Sequence, residues 1–82
     1  MKLFLYYKRG CPYCEKVFKY LDKLKIDIPL KDIEDKEIRS ELISIGGKAQ
    51  VPCLTIDGEA MYESDDIIKW ISENVNDLGT LW

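Results

Sequence analysis

Two cysteines three residues apart, Cys11 and Cys14 in Cys11-Pro12-Tyr13-Cys14, follow the apolar run Leu3-Phe4-Leu5-Tyr6-Tyr7 and precede a stretch with helical periodicity. At a strand-to-helix junction this spacing implies thiol redox chemistry. The first cysteine falls at the helix N-cap, a position where unpaired backbone N–H groups and the positive end of the helix dipole favour a thiolate over a thiol. The second, one turn in, can reach the first and close a small disulfide ring. Pro12 suits the first helical position, because the N–H it lacks would have no partner there and its φ is already near helical.

Other uses of the pair fit less well. A Cys-x-x-Cys motif that is half of a zinc site needs two further nitrogen or sulfur ligands. The chain has no histidine and only one more cysteine, Cys53, so four such ligands cannot be assembled from it. A purely structural disulfide of this size constrains little of the unfolded chain and leaves the third cysteine over. No metal is therefore expected. Cys53 reads first as a small buried strand residue, the usual place for a free cysteine, with a reactive thiol close to the pair as the alternative.

The elements that must position the pair follow from periodicity. Residues 2 to 7 are apolar and aromatic after Lys2, as in a central strand buried on both faces. Residues 12 to 25 carry Cys14, Val17, Phe18, Leu21 and Leu24 at helical spacing, with Lys16, Lys19, Lys23 and Lys25 on or near the opposite side. Residues 28 to 33 form a second strand, which Pro29 assigns to a sheet edge. Asp35 caps a helix through Ile38, Leu42 and Ile45 that Gly46-Gly47 ends. Residues 51 to 56 and 59 to 62 are strands joined by Asp57-Gly58, a pair suited to a type I′ turn. Ser64 then caps a third helix, with Asp65 and Asp66 in its first turn and Ile67, Ile68, Ile71 and Val75 on its inner face.

The order β-α-β-α-β-β-α, with a right-handed crossover followed by a hairpin, predicts an α/β domain. Its four-stranded mixed sheet has strand order 2-1-3-4, with helices on its faces. Eighty-two residues, 46% of them hydrophobic, suffice for one small core and one domain over residues 1–82. Twelve basic against fifteen acidic residues give a net charge of −3, with the cations scattered, so no nucleic-acid footprint is expected. Only five apolar residues separate Lys2 from Lys8-Arg9, too few for a signal-peptide core or a membrane span. A cytoplasmic monomer is the expectation, in a compartment where such a pair is more often catalytic than structural. The last residues, Asn76 to Trp82, are less regular and either pack back on the domain or fray.

Three segments together resemble the signatures of dithiol glutaredoxins, members of the thioredoxin superfamily: Cys11-Pro12-Tyr13-Cys14 after a strand, Val51-Pro52 opening the third strand, and Ser64-Asp65-Asp66 starting the last helix. The resemblance runs from Met1 to about Val75. It implies a glutathione-dependent thiol–disulfide oxidoreductase with glutathione as co-substrate, no tightly bound cofactor, and glutathionylated or disulfide-bonded proteins as partners. Cys11 would be the nucleophile and Cys14 the resolving thiol. Pro52 would be a cis-proline that leaves the Val51 backbone free to pair with the cysteinyl part of glutathione. Ser64 and Asp65 would hold the γ-glutamyl end, and Lys8 the glycine carboxylate. Tyr13 and Gln50 complete the implied glutathione site, with Lys48 as a helper. A carboxylate at a helix start and a lysine beside a peptide C-terminus are sound choices on physical grounds alone.

The chain departs from that pattern at Tyr62-Glu63, where many glutaredoxins carry two glycines, so backbone access near the γ-glutamyl pocket is altered. Glu63-Ser64 instead resembles the acid–serine pair of the N-terminal domain of glutathione transferases. No large helical second domain accompanies it in these residues, so transferase activity is not expected. A thioredoxin-like reductase recycled by a flavoprotein is disfavoured by Pro12-Tyr13 and the Ser64 signature. An iron–sulfur carrier, with glutathione and Cys11 holding the cluster between two copies, is disfavoured by Cys14.

Overall fold

The computed structural model describes residues 2–75. Leu3–Tyr7 form β1, with side chains alternating between the two faces of the sheet. Leu3 and Leu5 enter one cluster with Val17, Leu21, Leu54, Ile67 and Ile71. Phe4 and Tyr6 enter another with Ile33, Leu42 and Cys53. Both faces of β1 are thus covered, which is why the run reads as continuously apolar.

The remaining elements are α1 (Pro12–Leu24), β2 (Leu30–Asp32), α2 (Lys36–Gly46), β3 (Cys53–Ile56), β4 (Glu59–Met61) and α3 (Ser64–Asn74). The sheet order is β2-β1-β3-β4, as expected. Strand β2 pairs parallel to β1, with Leu5 opposite Leu30. Strand β3 pairs antiparallel to β1, with Tyr6 opposite Cys53, and β4 antiparallel to β3. Helices α1 and α3 pack together on the Leu5 face, whereas Leu42 seats α2 on the Tyr6 face.

Local sequence accounts for most boundaries. Asp35 caps α2, its Oδ1 accepting from the N–H groups of Glu37 and Ile38 at 2.9 and 3.3 Å. Gly47 ends that helix with φ +85°, a conformation that costs glycine little. Asp57 and Gly58 have φ +49° and +88°, the two positive values a type I′ turn requires. The N–H of Leu5 donates to the Pro29 carbonyl at 2.9 Å, so Pro29, lacking a donor, sits on the edge strand's flank without breaking the ladder.

Several boundaries differ from expectation, among them β2, which spans Leu30–Asp32 within the expected 28–33. Strand β3 begins at Cys53 rather than Val51, because Pro52 has no N–H to extend the ladder. Strand β4 ends at Met61, one residue before Tyr62. Helix α3 is capped by Glu63, not Ser64: the extended Glu63 offers its carbonyl to the N–H of Ile67 at 2.8 Å, so the helix starts one residue earlier and Ser64 is its buried first residue. The expectation for the tail, Asn76 to Trp82, lies outside the described residues.

Candidate active site

Gly10, with φ +78°, turns the chain from β1 into α1 and delivers Cys11 to the N-cap. Cys11 has extended backbone angles, and its Sγ accepts from the Cys14 N–H at 3.4 Å. Its own S–H lies 3.9 Å from the Val51 carbonyl, a long sulfur contact that ties the thiol to the segment before β3. Pro12 occupies the first helical turn as its missing donor allows.

The two thiols differ in access. Cys11 is half-buried, whereas Cys14 has 0% of its surface exposed, among Val17 and Leu21 on the inner face of α1. Burial pushes the Cys14 thiol up to about 12; contact with Cys11 adds to this and the Lys8 backbone opposes it. A disulfide arriving from solvent therefore meets Cys11 first. Cys53 is also fully buried, and desolvation pushes it up to about 11. It packs behind Pro52 with Tyr6 and Leu42, as its reading as a core residue anticipates.

Beside the Cys11 end of α1 lies a cavity of about 290 Å³ whose walls bring together six of the residues expected to bind glutathione: Tyr13, Gln50, Val51, Pro52, Ser64 and Asp65. The Val51–Pro52 peptide bond is cis, as expected. Lys8 is not among them. It lines a separate cavity of about 460 Å³ with Lys36, Arg39 and Glu34, and Val51 forms part of the wall of both. The two sides of Val51 thus present different chemistry, mixed-charge on one and predominantly basic on the other.

Three further residues line the smaller cavity: Lys16, Tyr62 and Glu63. Tyr62 donates its O–H to the Lys48 carbonyl at 3.0 Å, while the Lys48 ammonium stands 4.6 Å from the centre of its ring. Its ring lies so close to Gly46 that a Cβ there would collide with the hydroxyl oxygen. Lys48 thus contributes through Tyr62 rather than as a cavity wall. Lys16, placed by periodicity on the outer polar side of α1, instead makes an ion pair with Asp65 across the gap between α1 and α3. A signal for it exists in the sequence: Lys16 is three residues after Tyr13, hence on the same helical face.

Among the described residues no group of three or more histidine, cysteine, aspartate or glutamate side chains could hold a metal ion. Nor is any described helix long and apolar enough to cross a membrane.

Comparison with known proteins shows where this fold recurs. A glutathione S-transferase from the Antarctic clam Laternula elliptica superposes with a TM-score of 0.72 and 32% identity, over 89% of this chain and 35% of the clam chain. Glutathione transferase Omega 3C from Trametes versicolor gives 0.77 and 26%, over 89% of this chain and 33% of its own. The chain therefore spans about a third of the length of these two proteins. A buckwheat glutaredoxin, solved as a glutathione complex, shares the fold with a TM-score of 0.67 at 23% identity, over 87% of this chain and 68% of that one. No curated protein sequence is significantly similar. The family profile described as glutathione S-transferase, N-terminal domain, matches residues 5–78. With that match over nearly all its length and the β2-β1-β3-β4 sheet flanked by three helices, the chain has a thioredoxin-like fold and belongs to the glutathione S-transferase N-terminal domain family.

Proposed function

We propose that the protein is a glutathione-dependent thiol–disulfide oxidoreductase of the dithiol glutaredoxin type, acting as a monomer. The observation that carries this reading is the pairing of an accessible N-cap thiol, Cys11, with a fully buried thiol one turn on, at the start of the helix whose Tyr13 and Lys16 line a cavity with Gln50, Val51, Ser64 and Asp65. Its co-substrate is reduced glutathione, which places the activity in a reducing compartment such as the cytoplasm.

The Cys11 thiolate attacks the glutathione sulfur of a protein–glutathione disulfide. The old S–S bond breaks, the protein leaves as a thiolate that takes up a proton, and Cys11 carries the glutathionyl group. A second glutathione thiolate then attacks that sulfur, releasing oxidised glutathione and restoring Cys11. With a protein disulfide, Cys11 forms a mixed disulfide with the protein. Cys14 then loses its proton and attacks Cys11 Sγ, so that the Cys11–Cys14 disulfide forms and the substrate departs fully reduced.

A second reading draws on the family match and on Glu63-Ser64 at the cavity: conjugation of an electrophile to the thiol of bound glutathione, for which Cys11 is not required. One experiment separates the two. Turnover of a glutathionylated peptide is measured with glutathione, glutathione reductase and NADPH, beside a thioredoxin reductase control and an electrophilic conjugation assay. Cys11→Ser should abolish the first activity. Cys14→Ser should retain deglutathionylation and lose the reduction of protein disulfides. Deglutathionylation surviving in Cys11→Ser, or conjugation undiminished in it with no reductase activity in the wild type, would overturn the reading.

A further inference from the structure

Lys16 is the single cation among the described residues lining the 290 Å³ cavity, against two carboxylates, Glu63 and Asp65. It is paired with Asp65 although both side chains are largely exposed, 51% and 81%. Ion pairs with such exposure contribute little to stability. Their positions at the mouth of a cavity give them a different use.

We propose that Lys16 and Asp65 together recognise a zwitterionic α-amino-acid terminus, with Lys16 turning from Asp65 to the ligand's α-carboxylate while Asp65 takes the ligand's α-ammonium. This rests on the reading that glutathione occupies the cavity, whose γ-glutamyl end carries such a terminus. Lys16 is the specificity-determining residue in this exchange.

The selectivity follows from counting charges. In the empty site the two side chains satisfy each other. A zwitterionic terminus replaces one ion pair with two and leaves neither Lys16 nor Asp65 unpartnered. A ligand with only the ammonium must compete with Lys16 for Asp65, and one with only the carboxylate draws Lys16 away and leaves Asp65 beside Glu63 without a cation. Either gains one pair and loses one. Without Lys16 the cavity wall would carry two carboxylates and no cation, a poor host for an α-carboxylate. Ser64, the buried first residue of α3, sets the backbone N–H groups of that helix start at the same wall, where they add to the attraction for an anion.

The test is an NMR titration of the reduced full chain with glutathione and with 4-aminobutyryl-cysteinylglycine, which keeps the amino group and lacks the α-carboxylate. For Lys16→Met, the dissociation constant of glutathione should rise roughly two- to fivefold, the range of an exposed ion pair. The analogue should bind the same variant as well as, or better than, the wild type, because Asp65 has been freed. Lys16→Arg should keep the wild-type preference. The opposite signs for two ligands cannot arise from a loss of structure, which would weaken both. If Lys16→Met changes both dissociation constants by the same factor, or neither, the proposal is wrong while the glutathione site stands. If glutathione perturbs no signal at Gln50 to Pro52 or Ser64 to Asp66 in the wild type, the site itself is wrong and the proposal falls with it.

Discussion

Cys11 and Cys14 share a side-chain chemistry and differ in their access to water, and the roles proposed for them rest on that difference. Cys14 must lose a proton before it can resolve a mixed disulfide, and burial holds it near 12. Desolvation, the largest cause of this shift, persists when Cys11 is tied up in a disulfide. The dithiol branch should therefore accelerate about tenfold per pH unit from pH 7 to 9, until another step limits it. Deglutathionylation by Cys14→Ser has no such requirement and should lack that component. Single-turnover closure of the Cys11–Cys14 disulfide, followed against pH, checks this; a flat profile would mean that Cys14 is activated by a group other than those around it here. Cys53 is buried in one cluster with Tyr6, Ile33 and Leu42, so packing alone accounts for it.

Helix α2 is held to the sheet by packing at Leu42 and by a charged cluster. The Lys31 ammonium donates to both Glu41 carboxylate oxygens at 3.0 and 2.8 Å, and the Tyr6 hydroxyl donates to Glu41 Oε2 at 2.9 Å. Lys31 first, and then Tyr6, hold the Glu41 carboxyl below its ordinary value of 4.5. A lowered carboxyl pKa stabilises the fold above the unfolded value and loses that contribution as pH falls through the folded one. Thermal unfolding should thus show an acid limb below about pH 4.5 that Glu41→Gln flattens, at a cost of less than about 1 kcal/mol at pH 7 because the pair is partly exposed. The end of the same helix limits its own substitution. Gly46→Ala would raise helix propensity but drive a methyl into the Tyr62 ring, so it should destabilise by about 1 to 3 kcal/mol. In a Tyr62→Gly background that penalty should fall by at least about half, and urea unfolding of the four proteins in the cycle measures it.

The fold sets two cavities that share Val51 as a wall, with the Cys11 thiol in long contact with the Val51 carbonyl. Asp65 and Lys8, expected to serve one ligand, line different cavities and share no side-chain partner. Asp65→Ala should cost about 1 to 3 kcal/mol in kcat/KM for a glutathionylated peptide, mostly through KM, as for a charge-assisted hydrogen bond in an open site. Lys8→Ala should also lower kcat/KM, and the two losses should add within about 0.5 kcal/mol. Steady-state kinetics of the double variant checks this. A larger coupling would mean that substrate draws the two walls into a single site.

The amino-acid sequence by itself determined the order of the seven elements, the N-cap position of Cys11, the buried face on which Cys14 lies, the edge position of β2 and the Asp57-Gly58 turn. Each is legible because its cause is local: side-chain periodicity, a missing N–H at proline, a cap, a glycine able to take positive φ. Only the tertiary structure decided that Lys16 meets Asp65, 49 residues away, that Tyr62 lies over Gly46, and that Lys8 faces a cavity apart from Ser64. It also moved the cap of α3 from Ser64 to Glu63. Those outcomes depend on how α1, α2 and α3 sit on the two faces of one sheet. That arrangement is set by the packing of Leu5, Leu42, Leu54 and Ile67 rather than by any neighbour along the chain.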